Sequence, residues 1–288
     1  MIDRAKLAKG YITDEYLKPY AIFKSDMKDT YVEEMEICSE FEEGIEKQEF
    51  QVFYQPVVDA KTGKIVSAEA LVRWFHEQKG FISPGQFIPA LEKGGYISEL
   101  DRYMIEKVTG CLDKRRAEKK RFVPVSVNLS WMDFYDENML EWIVRGLKKN
   151  NQNEQKIRFE ITETSLAAIG ENHTRMLMHL KENGAEILLD DFGNGYSSFG
   201  MLQDYDFDIL KMDISFVRNI GVNKKSESIL RAIIDMAHKL GIRLVAEGAE
   251  TEEQAAFLRA NGCDYIQGYY YYKPMPEAEF LQLLEEGK

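Results

Sequence analysis

QVFYQPVV at residues 51–58 and IVSAEALVRW at 65–74, joined by DAKTGK, decide the fold of this chain. Both are apolar, β-branched and aromatic runs bounded by turn residues, the composition of strands. The six connecting residues are too few for a parallel crossover, which needs about a dozen. The two strands are therefore predicted to form an antiparallel hairpin turning at Thr62-Gly63. Six more strand patterns follow: RFVPVSVNLS (121–130), KIRFEIT (156–162), AEILLDDF (185–192), DFDILKMD (206–213), IRLVAE (242–247) and DYIQG (264–268).

Helical patterns fill the gaps. Ser83-Pro84-Gly85-Gln86 reads as a capping box with proline at the first helical position, opening a helix that stops at Gly94-Gly95. A longer helix is predicted from Ile97 to Lys120. Ile229, Ile233, Met236, Ala237 and Leu240 recur at helical spacing before Gly241. Thr251-Glu252-Glu253-Gln254 is a second capping box, its helix ending at Asn261-Gly262. Eight strands separated by helices predict an α/β fold: a modified (β/α)8 TIM-like barrel with an antiparallel first strand. The competing open doubly wound sheet lacks a glycine-rich nucleotide fingerprint after an early strand. Residues 1–48 stand apart as an N-terminal helical segment or linker, and 49–288 form the barrel domain. Within the linker, Val32, Met35, Cys38 with Ser39, and Ile45 predict an amphipathic helix near 31–48.

Composition narrows the function. A net charge of −12 leaves no broad basic field, which argues against binding DNA or RNA polymers or an anionic membrane. No apolar run approaches the ~18 residues of a membrane span, so direct membrane insertion is not expected. Any tether would come through a partner or a region outside this chain. Cys38, Cys111 and Cys263 are odd in number and widely spaced, which predicts reduced thiols and a cytoplasmic setting.

The predicted strands share one further property. In such a barrel, chemistry sits at the C-terminal strand ends. Those ends carry Glu69, Asn128, Glu160, Asp190 with Asp191, Lys211 with Asp213, Glu247 and Gln267. A carboxylate and amide set without histidine suits Mg2+ or Mn2+ and suits zinc or copper poorly. The four histidines, His76, His173, His179 and His238, show no ligand spacing and read as surface or helix-face residues. Lys211 could form a Schiff base only if neutral, and neighbouring acids favour its protonated form. The stretch LLDDFGNGYSS (188–198) places two adjacent carboxylates before a Gly193-Asn194-Gly195 turn. Two metals sharing Asp190 would suit an in-line phosphoryl displacement.

These motifs together resemble the EAL domain, the family of cyclic di-GMP phosphodiesterases. The resemblance runs in order through YQP (54–56), EALVRW (69–74), SVNLS (126–130), FEITET (159–164), DDFGNGYSS (190–198), LKMD (210–213), AEGAET (246–251) and QGYYYYKP (267–274). It implies Mg2+- or Mn2+-dependent hydrolysis of cyclic di-GMP to linear pGpG, with two metals per site. It further implies that Glu69, Asn128, Glu160 and Asp190 hold one metal, and that Asp190, Asp191 and Glu247 serve the second. By the same resemblance Lys211 contacts the attacking water or the scissile phosphate, and Gln267 positions water. Gln55, Leu71, Arg73, Asp213 and Glu250 match substrate-binding positions or their support, Arg73 being the phosphate partner, and Glu163 steadies the loop after the fifth strand. The family usually reads DFGTG; Asn194 departs from it and is expected to tune a loop tied to a homodimer interface. MIDRAKLAKG (1–10) resembles the closing helix of a GGDEF domain, which implies an upstream GGDEF or sensor domain. The alternative function is an inactive cyclic di-GMP receptor or protein-interaction module, although none of the expected ligands is missing. An aldolase-like lysine enzyme is a more distant third.

Overall fold

The computed structural model describes residues 2–9, 20–150, 157–169, 174–193 and 198–287. Two compact units emerge, one of residues 1–51 with 73–97, the other of 52–72 with 98–288.

In the first unit, α1 (Ile2–Lys9) and α2 (Ser25–Glu46) are followed by the start of β1 (Phe50–Asp59). The end of β2 (Ile65–His76), β3 (Gly80–Ile82) and α3 (Pro84–Gly94) complete it. The second helix begins six residues earlier than predicted, and its buried face is a different one. Ile37, Phe41 and Gly44 are buried, whereas Val32 and Met35 are 44% and 53% exposed. The phase is set by Phe41, whose ring packs at 5.5 Å on both Phe50 and Tyr96. Gly44 permits the approach, since a Cβ there would lie 3.0 Å from the Phe50 ring. Trp74 is fully buried, stacked on Phe50 at 4.5 Å, and donates its indole N–H to Glu49 at 2.9 Å. Trp74→Ala is expected to cost about 3–5 kcal/mol, read as a lower urea midpoint. The predicted capping box at Ser83 and the left-handed stop at Gly95 (φ 79°) both form.

The second unit holds the barrel. After β1 and β2 come α4 (Ile97–Ala117), β4 (Val125–Asn128), a 3-10 turn at Trp131–Tyr135, α5 (Glu137–Asn150) and β5 (Ile157–Thr162). Then follow α6 (Glu163–Ile169), α7 (Thr174–Glu182), β6 (Glu186–Phe192), α8 (Ser198–Asp204), β7 (Ile209–Met212), α9 (Ile214–Arg218) and α10 (Lys224–Lys239). The chain ends with β8 (Arg243–Glu247), α11 (Glu252–Ala260), β9 (Tyr265–Gln267), β10 (Met275–Pro276) and α12 (Glu277–Glu285). Strands β2, β4, β5, β6, β7, β8 and β9 are parallel neighbours, and β1 closes the ring by pairing with both β9 and β2. β1 is antiparallel to β9, with Val58 opposite Ile266. The eight-stranded barrel with one reversed strand is thus present.

Its hairpin turn is stabilised locally. Asp59 Oδ1 accepts the Thr62 N–H at 2.7 Å, and Gly63 takes a φ of 70° that a side chain would resist. The sequence reading missed β3 and β10, of three and two residues, because so short a segment carries no periodic signal. It also overran β4, β7 and β9 at their ends. All three cysteines are unpaired. No helix among the described residues is long and apolar enough to cross a membrane.

Candidate active site

Alternation along the strands builds the site, because side chains two residues apart share a face. Val57, Leu188, Ile209 and Val245, with Tyr265 against them, form one small apolar cluster. Two residues further along the same faces stand Gln55, Asp190, Lys211, Glu247 and Gln267. On β1 the site residue precedes its apolar partner, because that strand runs the other way. The cluster is therefore a buried apolar floor, and the polar residues stand on it at one end of the barrel.

Lys211 occupies the centre and is only 2% exposed. Its ammonium lies 2.6 Å from Glu160, 2.7 Å from Glu247, 3.1 Å from Glu69 and 3.2 Å from Asp190. Gln267 donates to Glu69 Oε2 at 2.7 Å and to Gln55 Oε1 at 3.3 Å, and Asn128 Nδ2 lies 3.5 Å from Glu69 Oε1. The strand end after Asn128 is anchored by the Ser130 N–H, which donates to Asp133 at 2.9 Å and Asp101 at 3.1 Å. Glu69, Asn128, Glu160, Asp190, Lys211, Glu247 and Gln267, taken from seven strands, thus converge.

Asp190 and Asp191 are adjacent, and in a regular strand their side chains would face opposite ways. The β6–β7 register shifts between Leu189 and Phe192, and Asp191 has a left-handed φ of 56°. This bulge brings carboxylate oxygens of Asp190, Asp191 and Glu247 within 4.8 Å of one another. Gly193 (φ 95°) follows, its N–H donated to Glu163 Oε2 at 3.2 Å, while the Phe216 ring fills the space a Cβ on Gly193 would need. Asn194 and Gly195, the other two residues of the predicted turn, lie outside the described residues.

The crowding of acids is visible in their proton affinities. Burial pushes Glu247 up to about 8, partly offset by Lys211 and reinforced by Asp190. Burial, then the charge of Glu69, holds Glu160 well above the usual carboxylate range. Asp190 is raised by burial against the opposing pull of Lys211, and Asp191 by burial and by Asp190. Glu69 ends below its ordinary value: burial works upward, but Lys211 and the hydrogen bond from Gln267 outweigh it. Burial would lower Lys211, yet the surrounding carboxylates hold it well above its ordinary value, so it stays an ammonium. A protonated lysine among four carboxylates is no Schiff-base nucleophile, which counts against the aldolase-like alternative.

A cavity of about 340 Å³ opens over these groups. Gln55, Glu69, Leu71 and Glu250 line it together with Asp190, Lys211, Glu247 and Gln267. Asp213 is buried and caps α9, accepting the Ser215 N–H at 2.8 Å. Arg73 lies on β2 beyond Val72, half-buried, in the first compact unit. The sequence reading missed Ile214, Arg218 and Tyr269, which also line the cavity. Their signal was positional: Ile214 and Tyr269 come two residues, and Arg218 six, after the last residue of a barrel strand, on segments leaving the C-terminal strand ends. Among the described histidines, His76 accepts two backbone N–H groups of its own turn and His238 pairs with Asp264.

The donor set suits a hard divalent cation: clustered carboxylate oxygens and amides on rigid strands, with neither histidine nor thiolate among them. Comparison with known proteins agrees. The EAL domain family matches residues 39–274. The chain is 31% identical to the cyclic di-GMP phosphodiesterase NbdA of Pseudomonas aeruginosa, over 88% of this chain and 32% of that protein. It is 30% identical to the bifunctional diguanylate cyclase/cyclic di-GMP phosphodiesterase MucR of the same organism, over 96% of this chain and 40% of that one. The solved phosphodiesterase of MucR in complex with c-di-GMP superimposes with a TM-score of 0.76 at 30% identity, covering 85% of this chain and 99% of that one. The chain spans 28–47% of the length of curated relatives it matches, among them an uncharacterised signalling protein of Caulobacter vibrioides. By fold and sequence, this chain belongs to the EAL domain family, whose members generally use divalent metals.

Proposed function

We propose that this chain hydrolyses one phosphodiester of cyclic di-GMP to linear pGpG. The convergence of Glu69, Glu160, Asp190 and Glu247 on Lys211 beneath the cavity carries this reading. Glu69, Asn128, Glu160 and Asp190 would hold one divalent cation, and Asp190, Asp191 and Glu247 a second, Mg2+ or Mn2+ in each case. When bound, such a pair supplies the Lewis acidity that activates water and offsets charge on the phosphoryl oxygens.

The chain's own residues do the rest. The ammonium of Lys211 stabilises charge that grows on the phosphate as the water oxygen attacks phosphorus and the bond to the 3′ oxygen breaks. Gln267, fixed between Glu69 and Gln55, orients the water. The floor of Val57, Leu188, Ile209 and Val245 excludes bulk solvent from below and strengthens these interactions. Leu71, Gln55 and Glu250 would bind the nucleotide, with Asp213 supporting through α9.

Glu163 acts at one remove, by holding Gly193 and with it the bulge that aims Asp191. Glu163→Gln is expected to raise the Mg2+ concentration for half-maximal activity about tenfold, with a smaller effect on the rate at saturating metal. Titration of activity with Mg2+ checks this.

The reading is tested by incubating purified protein with cyclic di-GMP and Mg2+ or Mn2+ and separating the products by chromatography. Metal-dependent pGpG is expected. Tight binding without turnover would favour a receptor instead. Residues 1–48 are proposed to connect this domain to an upstream GGDEF or sensor domain, a reading supported by the match to the bifunctional relative over 96% of this chain. We place the enzyme in the cytoplasm as a homodimer; a monomer in light scattering at micromolar concentration would contradict the dimer.

A further inference from the structure

We propose that Arg218 binds the phosphate of the cyclic dinucleotide that is not being cleaved, and so selects a doubly anionic substrate over singly charged phosphodiesters. This rests on the phosphodiesterase reading above. The charged side chains lining the cavity are Glu69, Asp190, Glu247 and Glu250 against Lys211 and Arg218. Lys211 is committed to four carboxylates at 2.6–3.2 Å. Arg218 is exposed and has no ion-pair partner among the described residues. It is therefore the one uncommitted cation among those lining residues.

A cyclic dinucleotide carries two ionised phosphodiesters on opposite sides of its ring. Only one of them can lie against the metal ligands. The other must sit elsewhere in the cavity, away from the proposed metal positions, and there needs a cation of its own. A guanidinium answers this need, because its planar fork binds two phosphate oxygens at once.

The support beneath Arg218 is rigid. α9 is capped at its start by Asp213. The Ile214 side chain fills the space a Cβ on Gly248 would need, with a 2.1 Å approach, and the Phe216 ring does the same over Gly193 at 2.5 Å. Val217 is fully buried. The helix is thus pinned to the ends of β6 and β8, the strands that carry Asp190, Asp191 and Glu247. Only the Arg218 side chain itself must become ordered on binding, which keeps the entropic cost low.

The experiment compares the parent, Arg218→Ala and Arg218→Lys on two substrates, cyclic di-GMP and bis(p-nitrophenyl) phosphate, which has a single phosphodiester. Arg218→Ala is expected to raise KM for cyclic di-GMP about tenfold or more, with kcat within about twofold. It should leave kcat/KM for the single diester unchanged. Arg218→Lys should recover part of the loss. At about 0.5 M salt the difference between parent and alanine variant should shrink, as expected of an exposed charge contact. Equal losses on both substrates, or no change in KM for cyclic di-GMP, would overturn the proposal. A loss insensitive to salt would place the contact on the guanine edge and overturn it as well. If the parent shows no turnover, the phosphodiesterase reading fails separately, and the same variants compared by calorimetry of cyclic di-GMP binding still decide the role of Arg218.

Discussion

Asp190→Asn is expected to reduce pGpG formation at least about a thousandfold, which corresponds to about 4 kcal/mol of transition-state stabilisation, while leaving the barrel folded. Asp190 is the residue proposed to be shared by both metal positions, and its Oδ1 also accepts the Asp191 N–H at 2.8 Å. The amide keeps the shape of the side chain, and its own carbonyl oxygen can accept that N–H. What it loses is the charge that a divalent cation needs. The same loss relieves the metal-free site, where burial already pushes Asp190 above its ordinary value. The variant is therefore expected to be at least as thermally stable as the parent in EDTA at pH 8, and to gain less from added Mg2+. Turnover within tenfold of the parent would remove Asp190 from the metal-binding role.

Lys211→Met tests the counterion. Methionine has a similar length and no charge, so the variant leaves Glu69, Glu160, Asp190 and Glu247 buried together without their shared cation. Breaking a buried ion pair by removing one partner costs about 3–5 kcal/mol. The cost should depend on pH in a defined direction. In the metal-free parent, Glu247 rises from its ordinary 4.5 to about 8, so the folded state binds more protons than the unfolded state between those values. Stability then falls as pH rises through that window, because the unfolded chain ionises first. Without Lys211 the remaining carboxylates repel each other more, and the fall from pH 5 to pH 8 should steepen. Mg2+ should restore more stability at pH 8 than at pH 5, since its binding requires the ionised acids. Thermal unfolding in EDTA and in Mg2+ at both pH values reads this out. Equal slopes for the variant and the parent would show that Lys211 does not neutralise the cluster. Its pGpG formation should also be lost, through the charge that Lys211 offers to the phosphate.

The hairpin of β1 and β2 was legible because six residues cannot span a crossover, a limit of chain geometry and not of context. The capping boxes at Ser83 and Thr251 were legible for a similar reason, being satisfied by atoms three residues apart. The phase of α2 was not. Val32 and Met35 are apolar enough to mark a buried face, yet the buried face is the one on which Phe41 meets Phe50 and Tyr96. That choice depends on partners distant in sequence. Arg218, at the end of the short helix α9, and Tyr269, two residues past β9, escaped notice because no periodicity there marks a side chain that lines a cavity.

The sequence alone determined which chemistry was available. It determined a barrel with one reversed strand, and oxygen-rich residues at successive strand ends with a lysine among them, because alternation and strand length are local properties of the chain. Only the tertiary structure decided how those residues meet. It placed Lys211 within 3.2 Å of four carboxylates from four different strands, which no spacing along the chain can specify. It also turned Asp191 toward Asp190 and Glu247 through a bulge in β6, against the alternation that a regular strand would impose. Pairing across strands sets both outcomes, and pairing exists only once the barrel has closed.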